Sequence, residues 1–153
     1  MKQNEAVYDN EMVLIFDAIA CNEALARMTV MAFLTPLNPT MEEISDVKTA
    51  VSEAVTNCII HGYDGKGGKI HMLCGLKGRK LYVEIYDKGA GIPDIQKAME
   101  PTYTTRPELE RSGMGFSFME AFMDELRVES EVGKGTIVYM VKTIAEYEKQ
   151  AAD

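Results

Sequence analysis

The chain has 153 residues, 46% of them hydrophobic and 26% charged, which is a length and composition suited to one folded domain, residues 1–153, with a sizeable core. Its formal net charge is −8, and no lysine or arginine block breaks the acidity, so the electrostatic footprint of a nucleic-acid binder or of an anionic-membrane binder is missing. A polyphosphate remains admissible where Mg²⁺ and local donors offset the field.

Three cysteines, Cys21, Cys58 and Cys74, are widely spaced with no C-x-x-C, and read as buried, reduced thiols of a cytoplasmic protein. The most apolar stretch, residues 24–37, is interrupted by Arg27, so neither a signal peptide nor a membrane span is expected.

In chain order, EMVLIFDAI reads as a strand or extended arm. Asn22 is placed to cap a helix through EALARMTVMAFL, with Leu25, Met28 and Ala32 at helical spacing and Pro36 and Pro39 ending it. A second helix follows. Thr40 and Glu43 form a T-x-x-E capping box, and Ile44, Val47, Val51, Ala54, Val55 and Cys58 recur on one face up to Gly62. YDGKGGK reads as a turn, KIHMLCGLK and KLYVEIYD as a hairpin around Gly78, and DKGAGIPDIQKAM as a loop with Pro93 in the first turn of a short helix.

The stretch EPTYTTRPELERSGMG has the composition of a long irregular loop, the kind that serves as a functional lid or as a link. Beyond it, Phe118, Phe122 and Leu126 space a helix, and LRVESEVGKGTIVYMVKTI forms a hairpin turning near Gly133 to Gly135. Residues 144–153 read as a solvated, mobile tail. Strand pairs separated by helices imply an α/β (α+β) two-layer sandwich, a mixed and mainly antiparallel sheet with helices on one face.

Several polar residues fit this packing poorly. Glu53 and Asn57, four residues apart, project about 40° from one another on the second helix, opposite its apolar stripe. A wetted surface would accept both, yet Ala50 and Ile60 share that face, which also suits the wall of a cleft. Asp87 is a sharper anomaly, because period-2 alternation puts it in phase with Leu81, Val83 and Ile85. Unless the strand frays first, a carboxylate there needs a dedicated donor, since an unpaired buried polar group costs about 1–3 kcal/mol.

Gly89 and Gly91 follow in a D-x-G-x-G pattern, and Gly113 and Gly115 precede a helix as G-x-G, an arrangement that offers free N–H groups to phosphate. Neither pair completes a Rossmann or Walker motif. His61 and His71 lack cysteine partners at metal-ligand spacing, no G-x-S-x-G supports a serine triad, and the eleven methionines suit a core and a partner surface.

Taken in order, E-x-x-x-N at Glu53 and Asn57 followed by HG, D-x-G-x-G from Asp87 to Gly91, and G-x-G from Gly113 to Gly115 resemble the boxes of the GHKL ATPase and kinase superfamily, whose ATP-binding architecture is the Bergerat fold. The segments NEALARMTVMAF, SEAVTNCIIHGY and PTYTTRPELERSGMGFSFME resemble more narrowly the anti-sigma F factors, small serine kinases of spore-forming bacteria.

That resemblance implies ATP and Mg²⁺ as cofactors. Glu53 would be the base at the attacking serine hydroxyl, Asn57 the Mg²⁺ ligand and Asp87 the acceptor for the adenine amino group. Gly89 and Gly91 would let the backbone approach the base, with Thr136 adding a polar contact near adenine. Gly113, Met114, Gly115 and Phe116 would present N–H groups to the phosphates, and Thr104, Thr105 and Arg106 would close over them as part of a lid.

It further implies a homodimer that holds a sporulation sigma factor, sigma-F, and phosphorylates an anti-anti-sigma protein on serine, with Arg27, Glu110 and Arg111 at the partner contact. Three readings stand beside it. They are a stress-response kinase with the same boxes, the ATP-binding half of a histidine kinase, and a nucleotide-gated binding module without chemistry.

Overall fold

In a computed structural model, residues 7–100 and 115–146 are described. Five strands, β1 (Asn10–Asp17), β2 (Lys69–Lys77), β3 (Lys80–Asp87), β4 (Glu125–Glu131) and β5 (Gly135–Thr143), form one sheet in the order β1-β2-β3-β5-β4. Every ladder is antiparallel, which settles the mixed or mainly antiparallel expectation. Helices α1 (Asn22–Leu34), α2 (Met41–Asn57) and α4 (Gly115–Phe122) cover one face of it, and α3 (Ile95–Ala98) is a single short turn. The architecture is the expected two-layer α/β sandwich.

Alternation builds the interface between the layers. Ile70, Met72, Cys74, Leu76, Leu81, Val83, Ile85, Val138 and Met140 face the helices and are buried, whereas Tyr82, Glu84 and Tyr86 lie on the other side, half-buried. Burial in this layer pushes the Cys74 thiol up to about 12. Contact of α2 with both α1 and α4 sets it in the middle of the helical layer, so Ala50 and Ala54 are fully buried along with the Val47, Val51 and Val55 stripe. Its start is the expected capping box: the Thr40 Oγ1 accepts from the Glu43 N–H at 3.1 Å, and Glu43 Oε1 accepts from the Thr40 N–H at 2.9 Å.

Several expectations are corrected. On α1 the buried stripe is Ala26, Val30 and Leu34, whose smaller residues admit α2 closely, while Leu25 and Met28 are exposed. Asn22 is not the cap but the first helical residue, and its side-chain amide donates to the Asp17 carbonyl at 2.9 Å. A 3₁₀ turn at Thr35–Leu37 contains Pro36 and finishes that helix. Pro93 precedes α3, whose cap is Asp94 accepting from the Lys97 N–H at 3.1 Å.

Helix α4 stops at Phe122, and Leu126 belongs to β4. Cys21 is exposed, unlike Cys58 and Cys74. The segment read as a mobile tail is anchored at its beginning. Ile144 is fully buried, and the Ala145 N–H donates to Glu43 Oε2 at 2.9 Å. Residues 101–114 of the lid stretch and residues 147–153 lie outside the described residues.

Candidate functional site

The second helix does not run to Gly62 as an α-helix. After Asn57 it widens into a π turn, Cys58–Gly62, closed by the Tyr63 N–H on the Cys58 carbonyl at 2.9 Å. This turn brings Gly62 to the end of β3. A Cβ on Gly62 would lie 2.8 Å from the Asp87 carboxyl, and the Gly62 carbonyl accepts from the Ala90 N–H at 2.8 Å.

Gly89 packs so tightly on that carbonyl that a Cβ would stand 2.0 Å from it, and Gly91, at φ 77°, lies against the Glu131 backbone. Two of the glycines expected to let backbone approach a ligand are therefore also needed where loop meets helix turn and hairpin.

β3 does not fray. Asp87 pairs in register with Ile70 on one side and Thr136 on the other, and it is 5% exposed on the apolar face. Its donor is the Gly89 N–H, 2.8 Å from Oδ1, supported by the Cys58 thiol and the Thr136 N–H. Burial outweighs these bonds and holds the carboxyl above its ordinary range.

The same irregularity recurs on the neighbouring strands. Ser130 follows Leu126 and Val128 in phase on β4, and Thr136 precedes Val138 and Met140 in phase on β5. Their hydroxyls stand 2.7 Å apart. Ser130 Oγ accepts from the Ile92 N–H at 2.7 Å and donates to the Gly135 carbonyl at 3.0 Å, so the Thr136 hydroxyl donates to Ser130 and keeps its lone pairs as acceptors.

Above this polar strand edge lies a cavity of about 340 Å³. Of the residues expected at a ligand, Asn57, Asp87, Gly91, Gly115, Phe116 and Thr136 line it. Glu53 does not line it but stands beside it. A Cβ on Gly115 would meet Glu53 Oε2 at 3.1 Å and the Asn57 amide at 3.3 Å, so both side chains face the start of α4. Asn57 is therefore on the wall of the cavity, while Glu53 is beside it against the start of α4.

Thr104, Thr105, Arg106, Glu110, Arg111, Gly113 and Met114 lie outside the described residues. Arg27 is not among the cavity-lining residues and pairs with Glu23 along α1, Nε to Oε1 at 3.5 Å.

The sequence reading missed Ile92, Pro93, Asp94, Lys97 and Ala98, which form the far wall, and Cys58 and Ser130. A signal for Ser130 existed, because it breaks an apolar alternation as Asp87 does. No comparable periodicity marks the wall around α3.

The site's chemistry suits an amino-bearing base next to a polyphosphate. A buried carboxylate and a hydroxyl lone pair offer acceptors between the apolar Ala54, Ile92 and Val138. On the α2 side, an amide oxygen and the first turn of α4 meet. Among the described residues no group of three His, Cys, Asp or Glu could hold a metal ion.

The histidine kinase-like ATPase domain is the family whose pattern matches this chain, over residues 18–142. Over 137 residues the sequence is 57% identical to the anti-sigma F factor of Clostridium acetobutylicum, covering 90% of this chain and 96% of that one. It is 54% identical over 138 residues to the anti-sigma F factor of Geobacillus kaustophilus, covering 90% and 94%. The chain belongs to the histidine kinase-like ATPase family and, within it, to the anti-sigma F factors.

A solved structure of the RsbU and RsbW domains of a Mycobacterium tuberculosis protein shares the fold, with a TM-score of 0.64 at 17% identity. It is matched by 94% of this chain, which spans 34% of that longer protein. Among the described residues no helix is long and apolar enough to cross a membrane.

Proposed function

We propose that this chain is a cytoplasmic anti-sigma factor and protein serine kinase, which binds a sporulation sigma factor of the sigma-F type and phosphorylates its anti-anti-sigma antagonist. The observation that carries the reading is the convergence of Asn57, Asp87, Gly91 and Gly115 on one cavity, with Glu53 beside Gly115, in a chain 57% identical to an anti-sigma F factor.

Asp87 and Thr136 accept from the adenine edge, while Gly115 and Phe116, with Gly113 and Met114 before them, present N–H groups to the phosphates. Asn57 offers its amide oxygen to Mg²⁺. When bound, Mg-ATP supplies the phosphoryl group and the cation that offsets its charge. Glu53 receives the proton of the attacking serine hydroxyl. By the family resemblance, Thr104, Thr105 and Arg106 would be the γ-phosphate contacts.

The kinase works as a homodimer, with Arg27, Glu110 and Arg111 in contact with the protein partners. Arg27 lies on α1 between the exposed Leu25 and Met28, a mixed charged and apolar surface suited to a protein.

The test is transfer of phosphate from Mg-ATP to a serine of a purified anti-anti-sigma protein, with sigma-factor capture measured in parallel. Glu53→Ala is expected to retain nucleotide and to lose transfer by roughly 10²–10⁴-fold. Full transfer by that variant would remove the role given to Glu53, and no phosphoserine from the unaltered chain would remove the kinase.

A further inference from the structure

We infer that Lys142 is a positioning residue for phosphate transfer: from the end of β5 it clamps the far end of α4 to α2, and so sets where the first turn of α4 meets Glu53 and Asn57. The inference rests on the kinase reading above and adds to it a residue outside the three boxes, at the opposite end of α4.

Lys142 follows Val138 and Met140 in phase on β5, so its side chain enters the helical layer where an apolar residue would be expected. A cation in that place needs partners, and two are present. Its Nζ donates to the Phe122 carbonyl, in the last turn of α4, at 2.7 Å, and lies 3.3 Å from Asp46 Oδ2 on α2. Carbonyls at a helix C-terminus lack intrahelical partners and carry partial negative charge, so a cation there closes the helix. Only 13% of the Lys142 side chain and 21% of the Asp46 side chain are exposed, which limits screening of the pair by solvent.

Asp46 belongs to the same row of α2 as the site. At about 100° per residue it projects within about 20° of both Glu53 and Asn57, and α4 packs against α2. The start of α4 stands at Glu53 and Asn57, where a Cβ on Gly115 would meet them at 3.1 and 3.3 Å, and its end is joined to Asp46 through Lys142. α4 therefore lies antiparallel along this row and meets it at both ends.

The chain that leaves α4 is tied to the same end of β5. The Asp124 N–H donates to the Val141 carbonyl at 2.8 Å, and Asp124 Oδ2 accepts from the Thr143 N–H at 2.6 Å. These bonds hold α4 to the sheet, while the Lys142 side chain also reaches α2. An eight-residue helix, about 12 Å long, is too short to be stable alone and takes its position from packing. Released at Phe122 it can slide or tilt on α2, and a fraction of an ångström at Gly115 is felt where Glu53 and Asn57 face the phosphates.

The experiment compares the full chain with three variants. Lys142→Met keeps an unbranched apolar stem without a donor, and Lys142→Arg keeps donors and charge. Arg79→Met removes bonds to the carbonyls of Leu37, Ile144 and Ala145, which lie at the same end of the sandwich but in neither α2 nor α4, so it reports lost stability alone. Equilibrium ATP binding, single-turnover transfer at saturating Mg-ATP, urea midpoints and hydrogen exchange of the nucleotide-free chain are measured.

Lys142→Met is expected to lose transfer about 10-fold and ATP affinity by no more than about 3-fold. Its α4 amides are expected to exchange about 10-fold faster in the nucleotide-free chain, with those of β2 and β3 changed less. Lys142→Arg is expected to restore all three toward the unaltered chain, and Arg79→Met to lower the urea midpoint while leaving transfer per folded chain unchanged. Undiminished transfer by Lys142→Met, equal losses of affinity and transfer, arginine behaving like methionine, or an equal loss of transfer in Arg79→Met would overturn the positioning role. An unaltered chain that gives no phosphoserine would overturn the kinase reading instead, and exchange of the α4 amides in the nucleotide-free variants would still decide the clamp.

Discussion

Two carboxylates are buried among the described residues, and they sit at opposite ends of the same sandwich. Glu43 lies at the start of α2, beside the chain that leaves β5. Asp87 lies at the other end of that strand pair, opposite Thr136. Burial alone would raise both. At Glu43 the Thr40 and Ala145 N–H groups, the Thr40 hydroxyl and the Lys142 charge reverse that effect and hold the carboxyl below its ordinary range.

Arg79 ties down the same end by donating to the carbonyls of Leu37, Ile144 and Ala145. At Asp87 the bonds fall short of the burial penalty, and the carboxyl stays raised. One acid is satisfied by its own chain, whereas the other retains acceptor capacity beside a cavity. Satisfaction marks structure, and an incompletely compensated buried charge marks a ligand site.

Exchanging the two side chains for neutral ones should separate stability from binding. In Asp87→Asn the amide oxygen stays on the Gly89 N–H, which turns the NH₂ group toward an incoming amino group. ATP affinity should fall roughly 10- to 150-fold, the range for a hydrogen bond to a charged group. Folding stability should hold or rise, because a buried charge is removed. Glu43→Ala should do the reverse, losing about 2 kcal/mol from the cap and from the unpaired Ala145 N–H while leaving ATP affinity unchanged. Urea midpoints and calorimetric titrations of both variants check this, and a common effect on both quantities would break the contrast.

Acid should divide the same pair with opposite signs. Glu43 has a lowered folded pKa, so its contribution to stability is present above the unfolded value and is lost only as pH falls through the folded one. Asp87 has a raised folded pKa, so it binds its proton earlier in the folded state. Its unfavourable charge is relieved between the folded and the ordinary value, and acidification there adds stability. Mild acid should therefore weaken ATP binding before Glu43 gives up its contribution. Binding and urea unfolding followed over pH, with Asp87→Asn and Glu43→Gln each flattening its own profile, would test the order.

The sheet, both hairpins, the α2 cap and the phase of Asp87 were legible because each follows from a local rule: alternation, turn chemistry or capping. What escaped depended on contacts distant in sequence. Leu25 and Met28 form as good an apolar stripe on α1 as Ala26 and Val30, and only the approach of α2 decides between them. The π turn, too, has no periodic signature. Its reason is the fit of Gly62 against Asp87 and Ala90, residues more than twenty positions away. At the site, Glu53, Asn57 and Asp87 stood out by pattern and Thr136 by resemblance, Ser130 on β4 was missed, and the wall around α3 follows from how an irregular segment folds back.

The smallest effect should come from Gly115→Ala, where the comparison reaches the far end of α2. An added Cβ would meet Glu53 Oε2 at 3.1 Å and the Asn57 amide at 3.3 Å, tight contacts with the ends of flexible side chains. Those ends can yield by a few tenths of an ångström, and alanine favours the helix that glycine weakens, so stability should change by less than about 1 kcal/mol. ATP affinity should stay within about 3-fold, because Asp87 and the base end of the cavity are untouched. Phosphate transfer should fall further, by about 10-fold, since displacement of a base and a cation ligand by a fraction of an ångström is felt chiefly in the reacting geometry. Single-turnover transfer measured against equilibrium ATP binding separates the two. A variant that lost affinity and transfer in equal proportion would place Glu53 and Asn57 in nucleotide binding alone.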